Sequence, residues 1–304
     1  MVELSGWAHR HDVPVTGLAA ALALLAALFF AVASAAQQRA ASRVSDDSSE
    51  GLGLIKVLVR RPLWWVGTLC DVGGYLAQAA ALGFGSLLLV QPLLVATLLM
   101  ALPLSARWAG RRLRRSDWVW AVLLAAALAV FVVTGEPTAG LDRAGAGRWL
   151  PAGIVLTTLL AGCLLVAGIR RQYRAVALAA ATALLYGLLA ALTKAVVSLL
   201  AGGPLAVLTG WETYALAAAA VVGTVLQQSA FQAGGLAASL PTITVGEPVV
   251  AVAIGIAVLD EQLRSGGAEW VLIGGLAAVM VAATAALAHS AARNAPLPAG
   301  GASA

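Results

Sequence analysis

The chain has 304 residues, of which 61% are hydrophobic and 11% are charged, and its mean hydropathy is +0.91. About a quarter of the residues in an ordinary soluble domain are charged, so this composition excludes a soluble globular protein and predicts an integral membrane protein. The net charge of +5 does not indicate a nucleic-acid partner, because the basic residues are spread over short loops instead of one patch.

Long apolar segments follow one another along most of the chain. About 18 apolar residues are enough to cross the roughly 30 Å hydrocarbon layer as a helix. Nine such spans are predicted, at 14–36, 63–83, 86–106, 117–135, 148–168, 175–199, 211–232, 236–258 and 268–288. The predicted fold class is therefore an all-α, polytopic membrane helix bundle. Residues 37–61 contain GLGLIKVLVRR, which is predicted to lie on the membrane surface, and a tenth, irregular span there is the alternative.

The distribution of basic residues predicts the orientation. Of the 19 Lys and Arg residues, Lys194 falls within a span, and Arg10, Arg143, Arg148 and Arg264 fall on one side. The remaining 14 fall on the other side, in 37–61, 107–116, 170–174 and the C-terminal tail. By the positive-inside rule, the nine-span chain has its N-terminus outside and its C-terminus in the cytoplasm, as a multi-pass protein of the cell membrane. The tail 291–304 is predicted to be disordered.

An internal repeat is predicted from four pairs of matching positions, separated by 152 to 156 residues. They pair AAQQRA (35–40) with AALTKA (190–195), Gln78 with Gln232, Gln91-Pro92 with Glu247-Pro248, and Trp118 with Trp270. Residues 1–147 form the first repeat, 148–174 a linking span with a basic loop, and 175–290 the second repeat. An odd number of crossings separates the repeats, so the second is inverted, an arrangement that many secondary transporters share.

Three stretches resemble one known family. They are GEPVVAVAIGIAVLDEQL (246–263), VQPLLVATLLMALPL (90–104) and Thr193-Lys194. They resemble the drug/metabolite transporter superfamily, in its EamA-like branch and its NIPA-like relatives. The resemblance implies export of metabolites or drugs, or transport of magnesium for the NIPA-like relatives. Two features depart from the family. The family has ten spans, and nine are predicted here. The family's acidic turn occurs in the second half as Asp260-Glu261-Gln262-Leu263, whereas the first half has Arg111-Arg112-Leu113 in its place.

Polar residues form stripes on two predicted spans. Asp71, Gly74, Tyr75 and Gln78 are spaced at i, i+3, i+4 and i+7, so they share one face of the second span. The equivalent face of the seventh span holds Val225, Gln228, Ser229 and Gln232. The stripes are predicted to line a common cavity, and the alternative is that they form hydrogen bonds between packed helices.

Three ionisable residues fall inside predicted spans: Asp71 in the second, Glu247 in the eighth and Lys194 toward the outer end of the sixth. A charge at the centre of a membrane helix costs roughly 2.5–3.5 kcal/mol on insertion scales. An ion pair is one explanation, but Lys194 is the one deep basic residue and cannot neutralise both acids. At least one acid is therefore expected to be protonated, hydrated or in contact with substrate. Lys194 has an equal structural alternative, in which its ammonium reaches the headgroups.

Two prolines are predicted to kink their spans, because proline cannot donate to the carbonyl one turn earlier. Pro92 lies in the third span and Pro248 in the eighth, where Thr244, Glu247 and a freed carbonyl would lie at one height. The residues predicted to bind substrate or a coupling ion are Asp71, Tyr75, Gln78, Gln91, Lys194, Gln228, Gln232, Thr244 and Glu247.

The sequence predicts a secondary transporter. It has no Walker loop, no GxSxG or HExxH motif and no paired Cys/His cluster, so neither an ATP-driven pump nor an enzyme is indicated and no cofactor is predicted. We expect alternating access for a small organic solute, with proton coupling through Glu247 or Asp71 as an option. The alternatives are a divalent cation transporter that binds magnesium through Asp71 and Glu247, and a membrane scaffold without transport. The lipid bilayer is the other predicted partner, and no oligomeric state is predicted.

Overall fold

A computed structural model describes residues 5–41, 60–108, 113–135, 137–138, 140–263 and 269–293. Their α-helices are α1 (Ser5–Ala41), α2 (Pro62–Phe84), α3 (Leu87–Leu94), α4 (Ala96–Trp108), α5 (Arg115–Gly135), α6 (Ala146–Ile169), α7 (Arg174–Leu199), α8 (Pro204–Thr209), α9 (Trp211–Ala257) and α10 (Glu269–Arg293). Short 3₁₀ helices at Arg171–Tyr173 and Leu200–Gly202 flank α7. The prediction of a helical bundle is confirmed, with one addition: β1 (Pro137–Thr138) pairs antiparallel with β2 (Gln262–Leu263).

Several helices are long and apolar enough to cross a membrane. By length and composition they are Thr16–Ala36, Leu87–Trp108, Ala146–Ile169 and Arg171–Gly202, and Thr242–Ala257 and Val271–Leu287 are shorter apolar helices. The length and composition of these helices are consistent with the predicted membrane protein, and the number of spans stays a prediction. Helix α2 has 23 residues, a sufficient length, but Asp71 and Gln78 lower its hydropathy.

The predicted span 86–106 breaks at Val95, three residues after Pro92, which itself lies inside a helix. Helix α3 ends at Leu94, and α4 begins at Ala96, so the predicted span 86–106 consists of two helical pieces. Proline has no N–H to donate to the Leu88 carbonyl, which weakens the helix at this point. Pro248 likewise lies inside a helix, and α9 stays helical through it.

Helix α9 consists of two arms that lie side by side on α7. Gly223 lies against Tyr186, where a Cβ would be 2.7 Å from the ring, and Gly187 lies against Val250, where a Cβ would be 2.6 Å from the valine Cβ. Positions 223 and 250 would be about 40 Å apart in a straight helix, so the chain must reverse between them. The Ser239 hydroxyl also donates to the Ala230 carbonyl nine residues earlier, at 3.0 Å. We call residues 211–230 the first arm and Thr242–Ala257 the second arm.

The remaining helices pack as neighbours around this unit. Helix α1 packs along α2 and α4, and α5 packs along α10. The largest apolar cluster joins α1, α3, α7 and the second arm through small and branched side chains, among them Ala23, Leu89, Ala191 and Ile254. Alanines at these contacts let the helix backbones approach closely, as is common where helices pack in membranes.

Candidate functional site

Polar side chains from four helical segments meet within the bundle. The Tyr186 hydroxyl on α7 donates to Gln227 Oε1 on the first arm at 3.1 Å. Tyr75 on α2 lies close enough to Tyr186 and to Glu247 on the second arm for electrostatic interaction with both. Asp71, one turn before Tyr75, lies within the same range of the tyrosine. We call Tyr75, Tyr186, Gln227 and Glu247 the central cluster.

Two members of the central cluster are surrounded by protein and still partly accessible. Glu247 lies deep among protein atoms, yet its side chain is partly accessible. Tyr75 likewise has many protein neighbours, including the ring of Phe30 at a centroid distance of 5.1 Å, but 55% of its surface is exposed. The central cluster thus draws its side chains from α2, α7 and the two arms of α9.

The other predicted site residues have different positions. Gln78 and Gln91 are buried, and Gln91 Nε2 has no hydrogen-bond partner within the described part of the chain. Thr244 is partly buried on the second arm, as is Asp71 on α2. The side chains of Gln228 and Gln232 lie outside the described residues. The predicted stripe on α2 is therefore divided, because Tyr75 is accessible, whereas Gly74 packs against the Phe30 ring.

Lys194 binds a carboxylate that differs from both expected partners. Its Nζ lies 2.7 Å from Glu261 Oε1, and the two side chains are 1% and 0% exposed. The same carboxylate accepts the Leu87 N–H at 2.9 Å and the Leu88 N–H at 3.1 Å, at the start of α3. The lysine thus neither pairs with Asp71 or Glu247 nor extends to the headgroups. Its charge is satisfied by Glu261.

The backbone around Glu261 fixes the position of this carboxylate. Asp260 has a φ of 58°, in the left-handed region, which turns the chain at the end of the second arm. The Glu261 N–H donates to the Gly255 carbonyl at 3.0 Å, and a Cβ at position 255 would lie 2.7 Å from Glu261 Oε2. The Leu141 N–H donates to the Leu259 carbonyl at 2.6 Å, so the segment before α6 supports the turn.

Two further ion pairs lie near this turn. Arg143 donates to both carboxylate oxygens of Glu212, at 2.6 and 3.1 Å, and the Glu212 side chain is 0% exposed. Hydrogen bonding to Glu212 raises the pKa of the Arg143 guanidinium above its usual value. Arg148 lies 3.4 Å from Asp260, and both side chains are about half exposed. We call the end of the bundle that holds these two pairs and the Lys194–Glu261 pair the ion-pair end.

A cavity of about 310 Å³ lies at a different place. Its lining includes Arg114, Asp117 and Trp120 at the start of α5, and His289 near the end of α10. None of the predicted site residues lines it. Within the described ranges, no group of three or more His, Cys, Asp or Glu side chains is placed to hold a metal ion.

Comparison with known proteins places the chain in a family. It is 37% identical over 285 residues to a protein of Corynebacterium glutamicum that is named only as uncharacterized, and the match covers 93% of this chain and 97% of that protein. The chain belongs to the same family as that protein. The shared similarity extends along nearly the whole of both chains and is thus not confined to one apolar helix. No protein-family model and no solved structure matches this chain.

Sequence reasoning missed three residues of these sites. Tyr186 is not among the predicted site residues, although a tyrosine among alanines and leucines is a polar exception in an apolar span. Gln227 is adjacent to the predicted Gln228 and makes the contact with Tyr186. Glu261 was noticed only as part of the acidic turn, because it follows the end of the predicted span 236–258.

Proposed function

We propose that this family member is a secondary transporter that moves a small organic solute across the cell membrane by alternating access. The observation that carries the proposal is the central cluster, in which an accessible carboxylate lies beside two tyrosines and an amide in an otherwise apolar helical bundle. Such a site offers one charge and several hydrogen-bonding groups to a ligand and little else that is polar. The resemblance to the EamA-like branch supports the same function.

The charge balance at the central cluster indicates the kind of solute. Lys194 is bound to Glu261, so its charge is not available to neutralise Glu247. A carboxylate within a membrane bundle is stabilised by a cation or by protonation. Tyrosine rings near the carboxylate add favourable cation–π contacts for an organic cation. The proposed solute therefore carries a positive charge, or a proton accompanies its transport.

The predicted inverted repeats would supply the motion. In this proposal, residues 1–147 and 175–290 rock against each other around the central cluster, which draws α2 from one repeat and α7 and α9 from the other. The proposed orientation has the N-terminus outside and the C-terminus in the cytoplasm, which places the ion-pair end on the outer side. Alternating access then requires both ends of the bundle to open in turn.

A thermal-shift screen of the purified protein in detergent tests the function. The panel contains organic cations, zwitterionic amino acids, neutral nucleosides and magnesium chloride. A ligand at 100 times its Kd stabilises the folded state by about 2.7 kcal/mol, so binding is visible as a higher apparent Tm. We expect an organic cation to raise the Tm of the wild type and to have little effect on Glu247→Gln. Uptake of the same compound into proteoliposomes then establishes transport.

Asp260→Asn is the matched control, because it removes a carboxylate that is half exposed and paired with Arg148 at the ion-pair end. This variant should keep the response to the solute. A shift with magnesium alone, lost in Glu247→Gln, would replace the proposal with divalent cation transport. A Tm that no compound changes, together with no uptake, would reject transport and favour the scaffold alternative.

A further inference from the structure

One carboxylate joins separate parts of the bundle at the ion-pair end. Glu261 contacts Lys194 on α7 at 2.7 Å and accepts the Leu87 and Leu88 N–H groups of α3 at 2.9 and 3.1 Å. Lys194 lies 67 residues before Glu261, and Leu87 lies 174 residues before it. A single buried side chain therefore connects the two predicted repeats.

Further contacts tie the same end. Arg143 holds Glu212 at the start of the first arm, and Arg148 at the start of α6 reaches Asp260. The β1–β2 pair adds backbone hydrogen bonds between residues 137–138 and 262–263. At the ends of α2 and α7, Gly83 packs so closely that a Cβ would lie 2.9 Å from Val197 Cγ1. The ion-pair end is thus closed by charge, by backbone pairing and by packing.

The opposite end of the bundle has a different character. It contains the starts of α2, α5 and α7 and the ends of α4, α6 and α10, together with the cavity of about 310 Å³ between α5 and α10. Its exposed basic residues are Arg60, Arg61, Arg107, Arg114, Arg115, Arg170, Arg171 and Arg174. These exposed charges favour contact with water.

We propose that the structure is closed at the ion-pair end and that the Glu261 carboxylate, which Lys194 holds in place, is the gate, because its hydrogen bonds to the Leu87 and Leu88 N–H groups join the two repeats. The inference rests on the proposed transport function. Lys194 and Glu261 both belong to the second predicted repeat, so when the repeats separate at this end Glu261 must leave the Leu87 and Leu88 N–H groups at the start of α3. Water that enters the opened end then forms hydrogen bonds with the carboxylate and with the freed N–H groups, which makes this polar contact reversible. Lys194 therefore positions the gate, and the central cluster binds the solute.

Labelling of a single cysteine tests the gate without any substrate. Cys70→Ala and Cys163→Ala give a cysteine-free chain, and Tyr75→Cys places a reporter in the central cluster. A membrane-impermeant maleimide is applied to vesicles of each orientation. The reporter is expected to react slowly from the ion-pair side and faster from the opposite side. Glu261→Gln or Lys194→Gln should speed the reaction from the ion-pair side by about tenfold or more. The state that is open at this end is a minor state of the wild type, with a population of about 0.1–10%, and loss of the gate raises that population.

Asp260→Asn serves as the control, since it removes only the exposed pair with Arg148 and should leave the labelling rate unchanged. Unchanged rates in both gate variants, with each protein still monodisperse in detergent, would overturn the gate. If Glu261→Gln fails to accumulate, Lys194→Gln decides the question, because it keeps the acceptor for the Leu87 and Leu88 N–H groups. Faster labelling in the gate variants, together with no rise in Tm with any solute, would reject the proposed function alone. A rise in Tm with a solute, together with unchanged labelling rates in the gate variants, would reject the gate alone.

Discussion

Removal of either charge from the Lys194–Glu261 pair should destabilise the folded protein strongly. The two side chains are 1% and 0% exposed, so neither charge is compensated by water when its partner is lost. In Lys194→Met, the Glu261 carboxylate keeps only the two backbone N–H donors of α3. In Glu261→Gln, a buried ammonium loses its counter-ion. Loss of one partner of a buried pair costs roughly 3–5 kcal/mol, which is the expected decrease in the free energy of unfolding for each variant.

A double-mutant cycle separates the pair from its surroundings. Lys194→Met with Glu261→Gln removes both charges together, so no buried charge is left without a partner. The double variant should therefore be at least as stable as either single variant, and its loss should be well short of the roughly 6–10 kcal/mol that additive losses would give. The assay is unfolding of the protein in mixed micelles by a denaturing detergent, followed by tryptophan fluorescence, with the free energy of unfolding compared between variants.

The exposed Arg148–Asp260 pair is the matched comparison. Its side chains are 48% and 55% exposed, and pairs of this kind contribute about 0–1 kcal/mol. A coupling between positions 194 and 261 no larger than the coupling between 148 and 260 would refute the reasoning. It would mean that water reaches the Lys194–Glu261 pair and that its burial does not determine its energy.

Two further predictions concern the segment that precedes α6. Gly140→Ala should lower the free energy of unfolding by roughly 1–3 kcal/mol, because the added Cβ would collide with the Leu259 carbonyl, a backbone atom with little freedom to move. Gly145→Ala, where a Cβ meets open space, should leave stability nearly unchanged in the same unfolding assay. Arg143→Ala should lower the apparent Tm in detergent, since it leaves the fully buried Glu212 without its guanidinium. Arg143→Lys should restore only part of the loss, because lysine cannot form the two-pronged contact; full recovery would contradict this reasoning.

Local chemistry predicted the features that depend on neighbouring residues. Apolar segments of sufficient length predicted the helical bundle. Pro92 and Pro248 both lie inside helices, and neither helix ends at its proline. A proline inside an apolar helix is tolerated where packed neighbours support the backbone. No local rule contains that information.

The assignment of the central cluster depended on helical phase. The repeat offset placed Gln228 in the polar stripe, whereas Gln227 makes the contact with Tyr186. The Gln228 side chain lies outside the described residues, so its place in the stripe stays a prediction. Adjacent residues point about 100° apart around a helix, so a shift of one position exchanges one face for another. A repeat alignment with offsets from 152 to 156 residues cannot fix that phase. The prediction of Glu247 does not depend on this helical phase, because Glu247 is the one acid between positions 213 and 259.

The need to satisfy the first turn of α3 explains why Glu261 is buried. A break near Pro92 leaves α3 with only eight residues, and a helix start within an apolar bundle exposes N–H groups that water cannot reach. The Leu89 and Val90 N–H groups donate to Ser86, through its hydroxyl at 3.2 Å and its carbonyl at 3.0 Å. The Leu87 and Leu88 N–H groups lack a local acceptor, and Glu261 supplies it from the far end of the second arm. A buried carboxylate in turn needs a cation, and Lys194 provides it. The helix break, the acidic turn and the deep lysine are thus linked by one hydrogen-bonding requirement, which acts between residues too distant in sequence for any local pattern to connect.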